Sequence, residues 1–206
     1  HVNPFSYETQ EIKEIKLTKS APLFENMDFL IRRGERVFII GKNGCGKSTL
    51  GKALAERIGF HFIDNENLYF SRTNTDEPYT NAKSRIEVER LLMEEVSKHP
   101  DFVFSAVKGD YGKDIVPMYN YVVVIEVPKK IRSRRVRNRS FQKFGSRMLM
   151  GGDLHNQEEA FFKMVDSRQE DYIENWLHGL NCPIIRVDGT KPIEENVAYI
   201  IQAIDR

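Results

Sequence analysis

The residues between Gly41 and Ser48 have the types and spacing of a phosphate-binding loop. They read GKNGCGKS and match the pattern G-x-x-x-x-G-K-[ST] in full. Glycines let the backbone curl so that several N–H groups point into one hollow, and a following helix adds its positive N-terminal end. We expect Lys47 to place its charge near the β- and γ-phosphates of a nucleotide, Ser48 to ligate Mg²⁺ and Thr49 to hydrogen-bond nearby. The expected nucleotide-binding residues of this phosphate loop are Gly41, Asn43, Gly44, Cys45, Gly46, Lys47, Ser48 and Thr49.

The elements that would position this loop alternate along the chain. Apolar runs predict strands at 36–40, 60–64, 101–107, 121–128 and 182–187. Amphipathic spacing and proline positions predict helices at 47–58, 84–99, 129–139, 158–178 and 192–204, with a loop at 65–80. This alternation predicts an α/β fold with a mostly parallel five-stranded sheet and helices on both faces. The phosphate loop directly follows the first core strand, at the sheet edge where such folds bind ligands.

Composition limits the classes of protein that the chain can represent. The 206 residues are 40% hydrophobic and 30% charged, with a net charge of +1. No apolar run approaches the roughly 20 residues that span a bilayer, so no membrane association is expected. The two cysteines, of which Cys45 lies in the phosphate loop, favour a reduced, cytoplasmic protein without a structural disulfide. The histidines show no metal-binding spacing with cysteines and are expected at the surface or in helix caps. They include His61, His99, His155 and His178.

The front of the chain resembles the start of the ATP-binding-cassette ATPases. The resemblance covers roughly residues 14–50 and includes the stretch IRRGERVFIIGKNGCGKSTL. That family also has a glutamine loop, an LSGGQ-like signature and an apolar strand ending in Asp-Glu, and this sequence has none of them. In its nearest equivalent of the last feature, Glu126 is followed by Val127. We therefore expect residues 8–35 to be an extension that adds edge strands or forms a partner surface.

From residue 36 to the end, the chain resembles the small P-loop kinases: the nucleoside-monophosphate, shikimate and gluconate kinase group. In that group the second strand often ends in an acid-x-acid pair, which FIDNENLYF matches with Asp64 and Glu66, with Glu in place of the commoner second Asp. Carboxylates two residues apart on an extended segment point the same way. The resemblance implies that Asp64 holds Mg²⁺ through water and that Asp64 or Glu66 orients the acceptor. The alternative interpretation is a solvated strand end.

A basic segment follows the strand that ends in Val-Pro. Residues 129–147 carry nine basic side chains and no acid, and Arg135 and Arg139 are four apart, on one helix face. In the kinases such arginines face a mobile lid, which would here be residues 139–157. The resemblance implies that Arg135 binds the nucleotide and that Arg139 and Arg147 act in catalysis. The alternatives are a solvated face or an RNA-binding patch; no known RNA-binding pattern is present, and nucleic acid is not expected as the partner.

Three shorter patterns add candidate residues. In SRQEDY, Arg168 and Tyr172 have the R-x-x-x-Y spacing found after the lid in adenylate-kinase-like enzymes, which implies that Arg168 contacts phosphates. The turn at 189–191 matches the position that contacts adenine in these kinases. Arg85 and Lys108 lie where the kinases border their acceptor pocket, and their charges favour an anionic acceptor.

These patterns together predict one domain over residues 1–206 that works as an ATP-dependent phosphotransferase. We expect ATP and Mg²⁺ as cofactors and a small metabolite or nucleotide as the phosphoryl acceptor. The alternative function is a nucleotide-hydrolysing ATPase or switch module that acts with a protein partner. The sequence matches no single acceptor signature and does not fix the oligomeric state.

Overall fold

A computed structural model describes residues 34–70, 82–112, 114–169 and 171–204. Its strands are β1 (Arg36–Ile40), β2 (His61–Asp64), β3 (Phe102–Ala106), β4 (Tyr121–Glu126) and β5 (Ile184–Asp188). Its α-helices are α1 (Lys47–Ile58), α2 (Asn65–Tyr69), α3 (Arg85–Lys98), α4 (Lys129–Phe144), α5 (His155–Asp166), α6 (Tyr172–Leu177) and α7 (Ile193–Ile204). Short 3₁₀ turns occur at Val116–Met118 and Gly145–Met148. Nearly all of the expected 8–35 extension lies outside the described residues.

The strands form one parallel sheet in the order β2-β3-β1-β4-β5. The central strands are continuous apolar runs because helices cover both of their faces. In β1, Val37 and Ile39 pack into a core with α1 and α7, whereas Phe38 and Ile40 pack into a core with α3 and α6. The predicted α/β architecture, with its parallel five-stranded sheet between two helical layers, is confirmed.

Two predictions about individual elements are wrong. The loop predicted at 65–80 begins with helix α2, which Asp64 caps by accepting a hydrogen bond from the Glu66 N–H at 3.0 Å. The single helix predicted over 158–178 is two helices, α5 and α6. Helix α5 ends at Asp166, and its C-cap, Ser167, donates from its hydroxyl to the Met164 carbonyl oxygen at 3.1 Å, a local bond that competes with the helical pattern.

The basic helix is longer than the sequence indicated. Helix α4 continues through Phe144 and ends where Gly145 adopts a φ of 55°. The expected lid at 139–157 therefore consists of the last residues of α4, a 3₁₀ turn and the start of α5. A separate apolar cluster, which includes Val136, Phe144 and Phe162, packs α4 against α5.

Candidate functional site

The phosphate loop has the left-handed backbone conformations that its glycines permit. Gly44 and Gly46 have φ values of 81° and 98°, which side-chain-bearing residues rarely adopt. The Cys45 N–H donates to the Lys42 carbonyl oxygen at 3.2 Å and closes the turn. Helix α1 begins at Lys47, and its N-cap, Gly46, supplies no side-chain hydrogen bond. The first N–H groups of α1 therefore remain available to an anion beyond the carboxyl end of β1.

A cavity of about 570 Å³ opens beside this loop. Its walls come from the loop, the residues that follow β2 and β3, and the facing sides of α4 and α5. The structure brings together in this cavity most of the residues that the sequence indicated for the site. The expected residues that line it are Asn43, Gly44, Gly46, Lys47, Ser48, Thr49, Asp64, Glu66, Arg135, Arg139 and Arg168.

Two residues of the loop support it from behind. Cys45 is buried and does not line the cavity. A Cβ atom added to Gly41 would lie 2.6 Å from the Cys45 Sγ and 3.0 Å from the Ile125 carbonyl oxygen. Gly41 and Cys45 therefore pack the loop against β4, and only their backbone could contact a ligand.

The three cavity arginines differ in what they contact. Arg135 donates from Nη1 to the Gly189 carbonyl oxygen at 2.9 Å, which ties α4 to the turn after β5. Arg168 donates from Nη1 to the Asn43 Oδ1 at 2.8 Å, at the entrance of the phosphate loop. Arg139 has no hydrogen bond or ion pair among the residues that the structure describes. It is thus the cavity arginine that keeps its guanidinium donors free for a ligand.

Lysine and acid groups lie on the other side of the cavity. The Lys47 Nζ donates to the Lys42 carbonyl oxygen at 3.3 Å, so its ammonium group lies against the loop. Asp64 ends β2 with one oxygen engaged by the Glu66 N–H, which fixes the carboxylate beside the cavity. Ser48 and Glu66 are exposed at the cavity wall.

Sequence reasoning missed several polar residues of the cavity, among them Asn65, Ser105 and Glu158. Ser105 and Glu158 are only 1% and 2% exposed. Within the described residues the Ser105 Oγ, the Glu158 Oε2 and the Asn65 Oδ1 have no hydrogen-bond partner. Buried polar atoms without partners are costly, which marks this wall as a place for a polar ligand. A serine inside the apolar run FVFSA was a usable signal for Ser105; no local pattern marked Glu158.

Two tyrosines hold the polar wall in place. The Asn65 Nδ2 donates to the Tyr111 hydroxyl at 2.6 Å, and burial raises the pKa of Tyr111. The Tyr172 hydroxyl donates to the Val107 carbonyl oxygen at 2.9 Å, and burial raises the pKa of this tyrosine as well. Both phenols therefore stay protonated at neutral pH and act as fixed neutral supports.

Besides Gly41 and Cys45, three expected site residues do not line the cavity. Arg147 pairs with Asp153 across the 3₁₀ turn, at 2.6 Å between Nη2 and Oδ2. Arg85 is held by Glu89 and Asp110, with 2.8 Å between Nε and the Glu89 Oε1. Lys108 is exposed and does not line the cavity, and the Trp176 ring packs on the adjacent Gly109.

The R-x-x-x-Y pattern also differs in its setting. Arg168 lies in the turn after α5, and Tyr172 is the first residue of α6, so the two do not share a helix face. Arg168 still reaches the cavity because this turn passes beside Asn43 of the phosphate loop.

The sequence of this chain is similar to those of several known proteins. The sequence profile of the ABC transporter family matches residues 24–104, which end at β3. The uncharacterized protein YqaC of Bacillus subtilis (strain 168) is 25% identical over 175 residues, which are 81% of this chain and 96% of that protein. An adenylate kinase isoenzyme 6 homolog of Caenorhabditis elegans is 28% identical over 181 residues, 83% of this chain and 90% of its own length.

A comparison with solved structures covers most of the chain, including the part after residue 104 that the ABC transporter family does not match. The crystal structure of shikimate kinase from Bacteroides thetaiotaomicron superposes with a TM-score of 0.55 at 19% identity, and covers 84% of this chain and 99% of that one. The chain has a P-loop kinase fold. Its front end is ABC-like, as the family profile shows, and the resemblance extends beyond residue 50. The P-loop kinase fold and the kinase relatives make this chain an enzyme of the P-loop kinase or ATPase type.

The helices of the described residues give one further result about location. None of them is both long enough and apolar enough to cross a bilayer.

Proposed function

We propose that this enzyme transfers the γ-phosphoryl group of ATP·Mg²⁺ to a hydroxyl group of a small molecule. The observation that carries the proposal is that one cavity brings together the phosphate loop, the acid at the end of β2 and Arg139, which has no partner in the part of the chain that the structure describes. Phosphoryl transfer depends mainly on positioning and on neutralising charge at the moving group. A cavity with cations on two sides and an acid in its wall meets both needs.

The residues present fit a magnesium nucleotide. Gly44 and Gly46 both line the cavity, and no atom of the described residues lies within 4 Å of a Cβ added to Gly46, which leaves room for phosphate oxygens. Ser48 supplies a hydroxyl and Asp64 a fixed carboxylate, the hard oxygen donors that Mg²⁺ prefers. We assign the metal to Ser48 and Asp64, with Asp64 acting through water. When bound, the ion would neutralise charge between the β- and γ-phosphates.

The basic residues would then divide the remaining work. Lys47 would hold the phosphates from the loop side, and Arg139 would approach them from α4. Arg168 already donates to Asn43 and would need only to exchange that amide oxygen for a phosphate oxygen. Arg135 is engaged with Gly189, which favours a role in holding the adenine-side turn. Arg147 would join only if its pair with Asp153 opened, so we do not assign it a catalytic role.

The acceptor side of the cavity favours a hydroxylated molecule that is recognised by hydrogen bonds. The expectation of an anionic acceptor rested on Arg85 and Lys108, and neither lines the cavity. Ser105, Asn65 and Glu158 instead present polar atoms without protein partners in the described part of the chain. Asp64 or Glu66 would orient the reacting hydroxyl and accept its proton. The kinase relatives are named for different acceptors, adenylate and shikimate, so they do not select one.

The test is a panel screen for acceptor-dependent ADP formation. The full chain is incubated with ATP and Mg²⁺ in the presence of nucleosides, nucleotides, sugars, sugar acids or polyols. We expect slow ADP formation alone and a large stimulation by one class, with Lys47→Ala lower by orders of magnitude while its far-UV circular dichroism is unchanged. Full activity in that variant would remove the loop lysine from the mechanism.

The ABC transporter match supports a second candidate function. An ATPase or switch module would hydrolyse ATP and respond to a protein partner. In the panel screen it would show ADP formation that no small molecule changes.

A further inference from the structure

A cluster of metal-ligand side chains lies at the opposite end of the sheet from the cavity. His61 is the first residue of β2, Glu95 lies in the last turn of α3, and His99 caps that helix. With one ligand atom taken from each residue, these atoms all lie within 4.8 Å of one another. Because β2 is parallel and ends at Asp64 in the cavity, a group bound at His61 is at the end of the strand that faces away from the nucleotide.

We propose that His61, Glu95 and His99 form a binding site for a divalent transition metal, with Zn²⁺ as the ion that fits best. Two imidazoles and one carboxylate are a frequent ligand set for zinc, and three protein ligands leave a fourth position for water. All three side chains are partly buried, so the ion would be only partly desolvated and could reach the site from solvent.

The distances are close to what a tetrahedral ion needs. Bonds of about 2.0–2.1 Å place neighbouring ligand atoms roughly 3.4 Å apart. The His61 Nε2 and the Glu95 Oε2 are hydrogen-bonded at 3.0 Å, so a small separation of the two atoms would admit an ion. The His61 and His99 rings stack with centroids 3.7 Å apart and an interplanar angle of 14°, which places their nitrogen lone pairs in nearly parallel planes. Metal binding therefore requires a side-chain rotation of His99 that directs a ring nitrogen at the ion.

The backbone holds the three residues in place independently of their side chains. Glu95 and His99 are four residues apart, on one helix face, and the His99 N–H donates to the Glu95 carbonyl oxygen at 3.0 Å. The His61 N–H donates to the Asp101 carbonyl oxygen at 3.1 Å, which fixes the start of β2 beside the end of α3. Such positioning lowers the conformational cost of metal binding.

One neighbouring cation, Lys98, lies close enough to repel a metal ion at this site. The Lys98 Nζ lies 3.7 Å from the Glu95 Oε1, which is the oxygen that does not contact His61. The other oxygen therefore stays available to an ion. Removing the lysine would leave all three ligands in place and relieve repulsion, so Lys98→Ala is expected to bind Zn²⁺ at least as tightly as the parent chain.

The experiment is isothermal titration of the full chain with ZnCl₂ at neutral pH, with saturating Mg²⁺·ADP present to occupy the phosphate-loop site. We expect one Zn²⁺ per chain at this site. We expect His99→Ala and Glu95→Gln each to weaken binding at least about tenfold, since even the loss of an outer partner costs 10- to 100-fold. The matched control is His178→Ala, which removes an exposed histidine outside the cluster and should leave the affinity unchanged.

A second measurement distinguishes the loss of a metal ligand from a folding defect in the variant. Each variant is melted without metal and with Zn²⁺, and the Zn²⁺-dependent rise in Tm should be present in the parent and His178→Ala and absent in His99→Ala. Absence of binding to the parent chain, or equal affinity in parent, His99→Ala and Glu95→Gln, would overturn the proposal and leave a hydrogen-bonded His–Glu pair only.

Discussion

The contact between the phosphate loop and α4 can be tested by adding one methyl group at two glycines. Gly44 and Gly46 both have positive φ, at 81° and 98°. A Cβ on Gly44 would lie 2.5 Å from the Arg132 carbonyl oxygen and 3.0 Å from the Val136 Cγ2, whereas a Cβ on Gly46 has nothing within 4 Å. The two substitutions therefore share the backbone cost and differ in the collision with α4.

The expected magnitudes follow from these two contributions. Forcing a side-chain-bearing residue into the left-handed region costs about 1–2 kcal/mol, which is the whole expected loss for Gly46→Ala. Overpacking adds typically about 1–3 kcal/mol, so Gly44→Ala should lose about 2–5 kcal/mol of unfolding free energy. The collision is with backbone, which cannot rotate away, and α4 must shift as a whole.

Urea denaturation without nucleotide measures this difference. Trp176 is the single tryptophan of the chain and reports unfolding by fluorescence, with far-UV circular dichroism as the second probe. Equal losses for Gly44→Ala and Gly46→Ala, with equal denaturant slopes, would mean that α4 does not pack on the loop as described.

The other predictions concern charged side chains. Arg139→Ala should slow turnover more than it weakens ATP binding, measured by kcat and by nucleotide titration; a change confined to binding would indicate simple electrostatic docking. Arg85→Ala, which removes an arginine outside the cavity, should leave kcat/KM for the same reaction unchanged. A large loss of kcat/KM would mean that Arg85 contacts a substrate after all. The hydrogen bond from Arg186 lowers the pKa of Glu174 in the folded chain. The ionised Glu174 therefore stabilises the fold fully above the pKa of an unfolded glutamate, about 4.3, and this stabilisation is lost as the pH falls through the lower pKa of the folded state. Because the side chain is 48% exposed, Glu174→Gln should cost at most about 1 kcal/mol at neutral pH and nothing in acid, and urea melts that show the same loss at both pH values would contradict this reasoning.

The features that could be predicted from the sequence are those set by residues close together in the chain. The phosphate loop, the five strands and their parallel arrangement could be predicted because glycine placement and continuous apolar runs act over a few residues. The break after Ser167 could not, because both flanking segments continue one amphipathic pattern and the turn is stabilised through Arg168 by Asn43, 125 residues away.

In the candidate site, too, the residues set by nearby sequence could be predicted, and those set by distant contacts could not. Asp64 was recognisable from its place at the end of a strand, and the hydrogen bond by which it caps α2 is to Glu66, only two residues away. The position of Arg85 depends on Asp110, which is 25 residues away, and the sequence alone does not show that pair. Burial of Glu158 depends on how α4 packs on α5, so its importance is visible only in three dimensions.

The fate of the γ-phosphoryl group is the most direct measurement of what the cavity does. The chain is incubated with ATP labelled at the γ-phosphorus, Mg²⁺ and the acceptor class that stimulates ADP formation, and the labelled products are separated. Transfer requires one labelled phosphorylated acceptor for each ADP formed. Label that appears only as inorganic phosphate, whichever acceptor is present, would contradict phosphoryl transfer and identify the enzyme as an ATPase.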